Sequence, residues 1–490
     1  MINASDDESI PLVHTTAGVS RFPSVATIGV VCFAALSGFL FGYDTSAISG
    51  VLLVLPALSV PRQELFVSVA LAAAAVGSPV GGVVSDRFGR RIAIGISSLL
   101  FTAGSLLLAL GPQDETYGFA VLLTGRVIVG AAIGVSSAVV PNFVAELSPP
   151  KWRGMLVGVQ CIAITGGQFV SYMVDYALLP NWRWMLGVPV VPAVVQFVGV
   201  LFFLPESPVW LASHNRADDA HAVIRRIARL PADVDAALAD LSNTLKIRQL
   251  EPRTLSERVS GLWQARAPLL LGCALQGFQQ FIGINTLMYY SAVILAQSGF
   301  GDNSHPADAM LMSSSIAAAN FVFTVAAVLL VDRVGRRTLM LWTLPGVVVS
   351  LALLSVTFFA MSAAPGSALA LPVAVTSKMA LSGMLLYIAF FASGMGVLPW
   401  LVNGEIFNPA IAGSANGLTT ATNWISNLIA AMTFLTAFTN SSGAAFAAYG
   451  VVAAISWLFF FWKMPETKGL SFSEIQLRFH VPKEHAPKET

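Results

Sequence analysis

Long stretches without a charged residue dominate this sequence and limit what it can fold into. Each of the three longest holds 35 or more consecutive uncharged, mostly apolar residues, and their bounding charges are Arg266 and Asp302, Arg337 and Lys378, and Glu405 and Lys463. A helix needs about 20 such residues to cross a bilayer. Only 11% of all residues are charged, against about 25% in an ordinary soluble domain. The sequence therefore predicts an all-α membrane protein, in which every polar residue inside a span needs a reason.

Chain length and charge exclude several other classes. Twelve spans of about 21 residues leave the 490-residue chain room for loops and tails but for no large soluble domain. The net charge of +1 gives no indication of nucleic-acid binding. Cys32, Cys161 and Cys273 lie in apolar stretches, so a disulfide framework is not expected. The first 24 residues lack the pattern of a signal peptide, and the first span is expected to act as its own insertion signal. No metal, cofactor or catalytic residue is predicted.

Twelve apolar segments are predicted to span the bilayer. They are Val25–Leu53, Leu65–Val84, Ile92–Leu110, Gly118–Val140, Met155–Tyr176, Trp184–Leu204, Leu269–Ala296, Leu311–Val331, Leu339–Met361, Met379–Val402, Ser414–Ala437 and Ala444–Trp462. Basic residues concentrate in alternate loops, which predicts that both termini are cytoplasmic. The plasma membrane is the favoured location.

The predicted domains follow from these segments. They are a cytoplasmic tail over 1–24, a six-helix bundle over 25–204, a cytoplasmic helical linker over 205–268, a second six-helix bundle over 269–462 and a cytoplasmic tail over 463–490. The segment Pro205–Pro252 contains 13 charged residues in 48, as a soluble surface does. Within it, Ala217–Ala228 and Ala232–Ile247 are predicted to be short amphipathic helices.

Three motifs recur in the two halves, which indicates an internal repeat. Asp86-Arg87-Phe88-Gly89-Arg90-Arg91 returns as Asp332-Arg333-Val334-Gly335-Arg336-Arg337. Glu146 with Pro149 returns as Glu405 with Pro409, and Pro205-Glu206-Ser207 returns as Pro465-Glu466-Thr467. Each motif follows the second, fourth or sixth span of its half. Parallel repeats of this kind are typical of transporters that hold their substrate between the halves near the midplane.

These motifs, together and in this order, resemble those of the sugar porters of the major facilitator superfamily over nearly the whole chain. Further matching elements are Gly81-Gly82, Gly125-Arg126, Pro141, Arg153-Gly154, Gln279-Gln280, Tyr289-Tyr290, Gly394 to Trp400 and Lys468-Gly469. Within that family the chain looks most like the proton-coupled myo-inositol transporters, on the segments Gly283 to Tyr290 and Gly394 to Phe407. Ala392 stands where many facilitative glucose carriers have a glutamate. The resemblance implies two six-helix bundles and alternating access.

Asp44 interrupts the first predicted span and is the sharpest candidate for chemistry. A carboxylate at bilayer depth costs about 2.5–3.5 kcal/mol on insertion scales, so it needs either a proton or a partner. Arg126 in the fourth span is the available partner, because both residues lie at a similar distance from the outer end of their spans. A carboxylate that exchanges an arginine for a proton can couple transport to protons. The alternative is a static ion pair that only fixes helix packing.

A second constellation is rich in amides. Its members lie in the fifth, seventh, eighth and eleventh spans and are Gln168, Gln279, Gln280, Asn285, Asn320 and Asn423. Amides donate and accept hydrogen bonds without carrying charge, which suits a substrate covered in hydroxyls. Trp400 and Trp424 are placed to cover the apolar face of a sugar ring. By resemblance, the six amides and Trp400 match substrate-contacting positions; the alternative is hydrogen bonding between helices.

Tyr289 and Tyr290 are predicted to form an outer gate or, alternatively, an interfacial anchor.

A third constellation consists of charges predicted on the cytoplasmic side. It comprises Asp86, Arg87, Arg90, Glu146, Arg153, Asp332, Arg333, Arg336 and Glu405. Topology alone explains the arginines but not the acids at the span ends. By resemblance these residues form ion pairs that hold the inner side closed. Ala412 stands where the second half would carry the counterpart of Arg153, so that half is expected to use Arg333, Arg336 or Arg337, or to have a weaker lock.

The function predicted from these observations is proton symport of a neutral polyol or monosaccharide, most of all myo-inositol. The partners are the polyol or sugar, protons and the lipid bilayer, and the chain is expected to work as a monomer. No bond is made or broken, so the protein is not expected to be an enzyme. The alternatives are a facilitative hexose uniporter, in which Asp44 is structural, and a nutrient receptor that transports nothing.

Overall fold

The computed structural model describes residues 23–55, 58–112, 117–149, 152–249, 254–300, 306–364, 367, 369–408, 411–470 and 472–480. Within these residues the chain is helical and contains no strand, as the sequence predicts. The predicted N-terminal tail lies outside the described residues except for positions 23 and 24, and so do residues 481–490 of the predicted C-terminal tail.

The first half of the molecule is a helical bundle. Its helices are α1 Val25–Val54, α2 Val60–Phe88, α3 Arg90–Leu110, α4 Tyr117–Leu147, α5 Arg153–Leu178, α6 Trp182–Gly187 and α7 Val190–Phe202. The bundle begins at Ser24, whose hydroxyl accepts the backbone N–H of Thr27 at 3.0 Å and caps α1. The short α6 and the following α7 together make the sixth span.

Four linker helices connect the halves, and a second bundle follows. The linker helices are α8 Pro208–Ser213, α9 Ala217–Ile227, α10 Pro231–Gln249 and α11 Leu255–Gln264. The second half comprises α12 Arg266–Phe281, α13 Ile284–Gln297, α14 Pro306–Val334, α15 Arg336–Met361, α16 Val373–Ser393, α17 Leu398–Ile406, α18 Ala412–Asn440 and α19 Ser442–Lys463, and α20 Phe472–His480 packs beneath it. The two linker helices predicted from the sequence are present as α9 and α10.

Eleven stretches of the described chain are long and apolar enough to cross a bilayer, if α6–α7, α12–α13 and α16–α17 each count as one. The remaining long helix of the second half is α18, with 29 residues. Asn416, Asn423 and Asn427 lower its hydropathy but not its length. Each half therefore contributes six spans, in agreement with the predicted architecture.

Polar and apolar side chains are distributed as a bilayer demands. Trp342 is 78% exposed and Phe202 72% exposed on the outside of the bundles, where lipid tails would cover them. Arg126, by contrast, is 1% exposed and is the largest fully buried side chain. Polar groups thus concentrate between helices, where they find partners or a ligand.

Two spans that the sequence predicts as continuous are broken near their middle. The predicted span Leu269–Ala296 divides into α12 and α13 at Ile282 and Gly283, and Gly283 has φ of 91°. The predicted span Met379–Val402 divides into α16 and α17 around Gly394 to Gly396. Discontinuous helices at membrane depth occur where the freed backbone groups find partners or line a cavity. Here the Tyr387 hydroxyl donates to the freed carbonyl of Ile282 at 2.9 Å.

The halves meet along α5 with α14, α2 with α18 and α1 with α13. We call the face that carries α8–α11 the linker side. The opposite face, where α1 ends at Val54 and α18 ends at Asn440, is the far side.

Within the first half, α1 and α5 approach so closely that a side chain at Gly42 would run into the backbone of Ile164. Small residues therefore allow this pair of helices to pack backbone against backbone.

Candidate functional site

A buried ion pair lies inside the first half. Arg126 Nη1 donates to both carboxylate oxygens of Asp44, at 2.6 and 2.7 Å, and the two residues are 1% and 7% exposed. Asp44 and Arg126, which were predicted to lie at the same depth in the membrane, are thus in contact in the structure. Arg126 Nε also donates to the Phe66 carbonyl at 3.2 Å, and the guanidinium lies over the Phe66 ring. These second contacts hold the arginine in place whether or not Asp44 is charged.

The broken seventh span presents three amides next to its break. Gln279 and Gln280 close α12, and Asn285 lies in the first turn of α13. Asn285 Nδ2 donates to Gln280 Oε1 at 2.9 Å, and Gln279 Nε2 donates to the carbonyl of Met395 at 2.6 Å. Met395 lies in the break of the tenth span. The two breaks are therefore joined by a side chain that the sequence assigns to the substrate site.

The other predicted amides extend this cluster across the molecule. Asn320 Nδ2 on α14 donates to Gln168 Oε1 on α5 at 2.8 Å, so this pair bridges the halves. Asn423 Nδ2 on α18 donates to Gln279 Oε1 at 2.9 Å and to Gln276 Oε1 at 2.7 Å. The six predicted amides thus form two hydrogen-bonded groups, Gln168 with Asn320 across the halves, and Gln279, Gln280 and Asn285 with Asn423 in the second half. Asn285 is half-buried and the other five are buried.

Several buried polar atoms have no hydrogen-bond partner among the described residues. Gln276 Nε2 belongs to the side chain that accepts from Asn423, and Trp424 Nε1 to the next residue of α18. Asn403 Nδ2 and Oδ1 on α17 and Gln160 Oε1 on α5 also have none. A buried donor or acceptor without a hydrogen-bond partner costs about 1–3 kcal/mol of stability. Donors and acceptors held ready in this way fit a ligand with several hydroxyl groups, each of which can donate and accept.

Aromatic side chains border the same region. Trp424 on α18 lies against Phe41 on α1, with ring centroids 5.7 Å apart, and so reaches across the halves. Trp400 on α17 is 38% exposed. Flat rings beside amides are suited to the apolar face and the hydroxyl rim of a ring-shaped polyol.

Contacts between the halves close the far side of this region. The Glu64 carboxylate on α2 accepts two hydrogen bonds from Thr436 on α18, one from its backbone N–H at 2.7 Å and one from its hydroxyl at 2.9 Å. Tyr172 on α5 donates to the carbonyl of Met288 on α13 at 2.6 Å. Ser49 on α1 accepts the backbone N–H of Ala292 at 3.0 Å. The far side is therefore sealed by hydrogen bonds between α1, α2 and α5 on one side and α13 and α18 on the other.

The predicted outer-gate tyrosines lie in this sealed part. Tyr289 and Tyr290 are 2% and 0% exposed on α13, and the Tyr290 ring stacks on Phe434 of α18 at 5.5 Å. An interfacial anchor would be exposed at the level of the lipid head groups, so the buried positions favour a place in the gate. Tyr289 is also close enough to Asp44 and Arg126 for electrostatic interaction with both.

Comparison with known proteins identifies the family. Residues 30–479 match the family model described as "Sugar (and other) transporter". The chain belongs to this sugar transporter family. It is 35% identical to the human "Proton myo-inositol cotransporter" over 92% of this chain and 81% of that protein. It is 34% identical to the Arabidopsis thaliana "Probable inositol transporter 2" over 90% of each.

A solved structure supports the same assignment. The proton:xylose symporter XylE of E. coli, a member of the major facilitator superfamily, superposes with a TM-score of 0.76 at 28% identity. The match covers 94% of this chain and 100% of that one. The predicted two-bundle fold of the major facilitator superfamily is thereby confirmed. The protein is a multi-pass membrane protein of a transporter family, not an enzyme.

On the linker side, the first half of the transporter carries a compact charge cluster. Arg90 donates from Nε and Nη2 to Glu146 at 3.1 and 3.2 Å. Its i−4 neighbour Asp86 also pairs with it at 3.0 Å, although Asp86 is largely exposed. Glu206 accepts the backbone N–H groups of Arg90 and Arg91, which begin α3. A carboxylate there satisfies two orphan donors and complements the helix dipole. Burial raises the pKa of Glu206, and these hydrogen bonds lower it in part.

The second half repeats this cluster residue by residue. Arg336 donates to Glu405 at 2.8 Å and pairs with Asp332 at 2.9 Å. Glu466 accepts the backbone N–H groups of Arg336 at 2.7 Å and Arg337 at 3.1 Å, which begin α15. The transporter thus uses Arg336 at Glu405, one of the possibilities left open by Ala412. Each cluster lies inside its own half.

Three predicted gate arginines have other neighbours. Arg153 pairs with Asp240 of linker helix α10 at 2.6 Å and so ties the first half to the linker. The Arg87 guanidinium lies over the Phe88 ring. The backbone carbonyl of Arg333 accepts from Lys468 Nζ at 2.5 Å.

Three residues of the transporter's interface escaped the sequence analysis. Gln276 lies three positions before Gln279, and this helical spacing was a usable signal that both face Asn423. Glu64 stands near a span end, where a glutamate resembles an ordinary interfacial charge. Asp175 lies near the far end of α5 and is fully buried; its place inside the predicted span Met155–Tyr176, one residue from the end, was the only signal.

Proposed function

We propose that the protein is a proton-coupled symporter of a neutral polyol, most of all myo-inositol, working by alternating access. The observation that carries the proposal is the pair of buried side chains with unpartnered polar atoms, Gln276 and Trp424, of which Trp424 contacts Phe41 of the other half, together with the buried Asp44–Arg126 pair. A relative named a proton myo-inositol cotransporter and a structural neighbour named a proton:xylose symporter support both parts of it.

In the proposed cycle, Asp44 binds a proton while the far side is open. Protonation weakens its bond to Arg126, which keeps its contact with the Phe66 carbonyl. The polyol binds between Gln168 of the first half and Gln279, Gln280, Asn285, Asn320, Asn423 and Trp400 of the second. The far side then closes through Glu64 and Tyr172, the linker side opens, and polyol and proton leave together. The Asp44–Arg126 pair then forms again.

The proposed orientation places the linker side in the cytoplasm. Basic residues concentrate on that side, as the positive-inside rule requires. Both termini would then be cytoplasmic, and we propose the plasma membrane as the site of action and the single chain as the working unit. In this orientation the linker-side clusters around Arg90 and Arg336 act as parts of the inner gate.

The proton gradient supplies enough free energy for accumulation. One proton that moves through 100 mV gains about 2.3 kcal/mol, and one pH unit adds about 1.4 kcal/mol. Their sum corresponds to an accumulation ratio of about 500 for a neutral solute.

Uptake into proteoliposomes tests the proposal. We expect labelled myo-inositol to accumulate above equilibrium only with an inward proton gradient, and its entry to make a weakly buffered external medium more alkaline. Asp44→Asn should abolish accumulation while exchange of labelled for unlabelled inositol continues, because exchange needs no net proton movement. Accumulation by Asp44→Asn equal to the wild type would overturn the coupling mechanism, and uptake without alkalinisation would indicate a uniporter.

A competition panel tests the substrate. Unlabelled myo-inositol should displace labelled inositol at a lower concentration than glucose or xylose does. Gln279→Ala should weaken exchange by about tenfold or more, since it removes contacts to both Met395 and Asn423. Ile425→Ala, 52% exposed on α18, is the matched control. Displacement by glucose at an equal or lower concentration would contradict the inositol assignment.

A further inference from the structure

A second carboxyl group lies buried between the halves, and the transport cycle described above does not use it. Asp175 is on α5, near its far end, and is 0% exposed. Neither of its carboxylate oxygens has a hydrogen-bond partner in the part of the chain that the structure describes. Asp44, in contrast, has the Arg126 guanidinium within 2.6 Å.

The surroundings of Asp175 come from both halves. A Cβ atom built on Gly50 of α1 would lie 2.8 Å from Asp175 Oδ2 and 2.7 Å from Cε of Met310, which belongs to α14 of the second half. The ionisable groups within electrostatic range are Tyr43 on α1 and Tyr172 on α5. Among the described residues, no arginine, lysine or histidine is recorded as a partner of Asp175.

A carboxylate in this place would be a buried charge without compensation. The cost of such a charge greatly exceeds that of a neutral carboxylic acid, so the group keeps its proton instead. The absence of a counter-charge thus favours the neutral form of Asp175 in the far-closed structure, whereas Asp44 has the Arg126 guanidinium as its counter-charge. The two carboxyl groups therefore lie in different electrostatic environments.

The far-side seal lies next to Asp175. Tyr172, one turn before it on α5, donates to the carbonyl of Met288 and shares a hydrogen bond with Ser291 on α13. Opening of the far side separates these contacts and moves Met310 away. Water then reaches the Asp175 carboxyl, which can ionise. Closing the far side again requires that it be neutral.

We propose that Asp175 is a second proton-binding site, which must be protonated before the far side of the transporter can close. The inference rests on the alternating-access part of the proposed function, not on proton coupling through Asp44. The Asp175 proton binds from the far side and returns to it when that side reopens, so it is not transported. The site works as a gate that responds to pH on the far side.

Distance measurements across the far side test this proposal without substrate or gradient. Spin labels would be placed at Arg62→Cys and Asn440→Cys, both exposed at the far ends of α2 and α18, after Cys32, Cys161 and Cys273 are replaced by serine. An Asp44→Asn background removes the coupling proton. Double electron–electron resonance should then show the ratio of far-open to far-closed molecules rising by up to tenfold per pH unit, the limit for one proton.

Adding Asp175→Asn should flatten this response to less than twofold over the same pH range, because asparagine stays neutral. Ser171→Ala, one turn away on the same face of α5, is the matched control and should keep the full response. A full pH response in the Asp175→Asn variant would overturn the proposal.

A second measurement remains if Asp175→Asn does not fold. Infrared spectra of the unmutated chain should show the C=O stretch of a protonated carboxylic acid that weakens as the far-open population grows. The absence of that band while the far side is closed would also overturn the proposal. Failure of uphill transport, by comparison, would contradict the function proposed for Asp44 and would leave both of these results unchanged.

Discussion

At the scale of single residues, three buried carboxyls show three ways of placing an acid inside a membrane protein. Asp44 has a guanidinium, Glu64 has a backbone N–H and a hydroxyl from the other half, and Asp175 has no hydrogen-bond partner among the described residues. An ion pair within one half can form whichever side is open, and it responds to protonation of its acid. Hydrogen bonds between halves exist only in the far-closed state, so Glu64 contributes directly to the conformational equilibrium.

Glu64→Gln should shift this equilibrium toward the far-open state. Glutamine keeps one acceptor but loses the charge that strengthens the bonds to Thr436. The far-closed state should lose about 1–3 kcal/mol, which raises the ratio of far-open to far-closed molecules about 5- to 150-fold. The measure is labelling of Ala292→Cys, buried on α13, by a membrane-impermeant maleimide added on the far side. Thr433→Ala, exposed one turn from Thr436, should leave the labelling rate unchanged. Equal labelling rates for Glu64→Gln and its parent would show that the hydrogen bonds of Glu64 to Thr436 do not stabilise the far-closed state.

The position of a residue could be predicted from sequence where only its depth along a helix mattered. Counting residues from the span ends placed Asp44 and Arg126 at one depth, because rise per residue is fixed in a helix. Glu64 and Asp175 depend on which helix of the other half lies opposite, and that is a property of the three-dimensional packing. Gln276 is a different case, because its spacing of three residues from Gln279 could have indicated a shared face of the helix.

At the scale of elements, the spans were predictable and their breaks were not. Apolar length fixes a span, whereas glycine is tolerated inside membrane helices, so Gly283 and Gly394 gave no signal of a break. In the structure, Gly283 has φ of 91°, and a Cβ there would lie 2.7 Å from the Tyr449 ring. The linker illustrates the opposite case. Thr254 and Glu257 form a capping box at the start of α11, a pattern that sequence can reveal.

Gly283→Ala should therefore destabilise the second half. An L-residue at positive φ costs about 1–3 kcal/mol, and Tyr449 would also have to move. We expect a lower melting temperature in detergent and weaker inositol exchange, because Gln280 and Asn285 lie on either side of the break. Gly417→Ala in α18 is the control: a Cβ there meets nothing within 4 Å, and alanine favours a helix. A melting temperature equal to that of the parent would show that the break does not depend on glycine.

At the scale of the whole molecule, the repeat explains why two acids of the same motif lie far from the substrate. Glu206 and Glu466 each accept the first backbone N–H groups of a long helix, α3 or α15. Arg91 donates to the carbonyl of Val200 in the last turn of α7, and Arg337 donates to that of Phe461 in the last turn of α19, where cations complement the helix dipole. These contacts fasten the third span of each half to its sixth, as expected if each half moves as a unit between two states.

Glu206→Gln and Glu466→Gln should consequently lower stability without changing the conformational equilibrium. Each removes charge-assisted bonds worth about 1–3 kcal/mol in total, and the double variant should lose the sum of the two, since the sites share no partner. Melting temperature would fall in both variants, while the spin-label distances between positions 62 and 440 stay as in the parent. Glu64→Gln should do the reverse, with altered distances at a nearly unchanged melting temperature. A shift of the far-side distances by Glu206→Gln would mean that Glu206 itself takes part in gating, as proposed for Arg90 and Glu146, and does not only hold a half together.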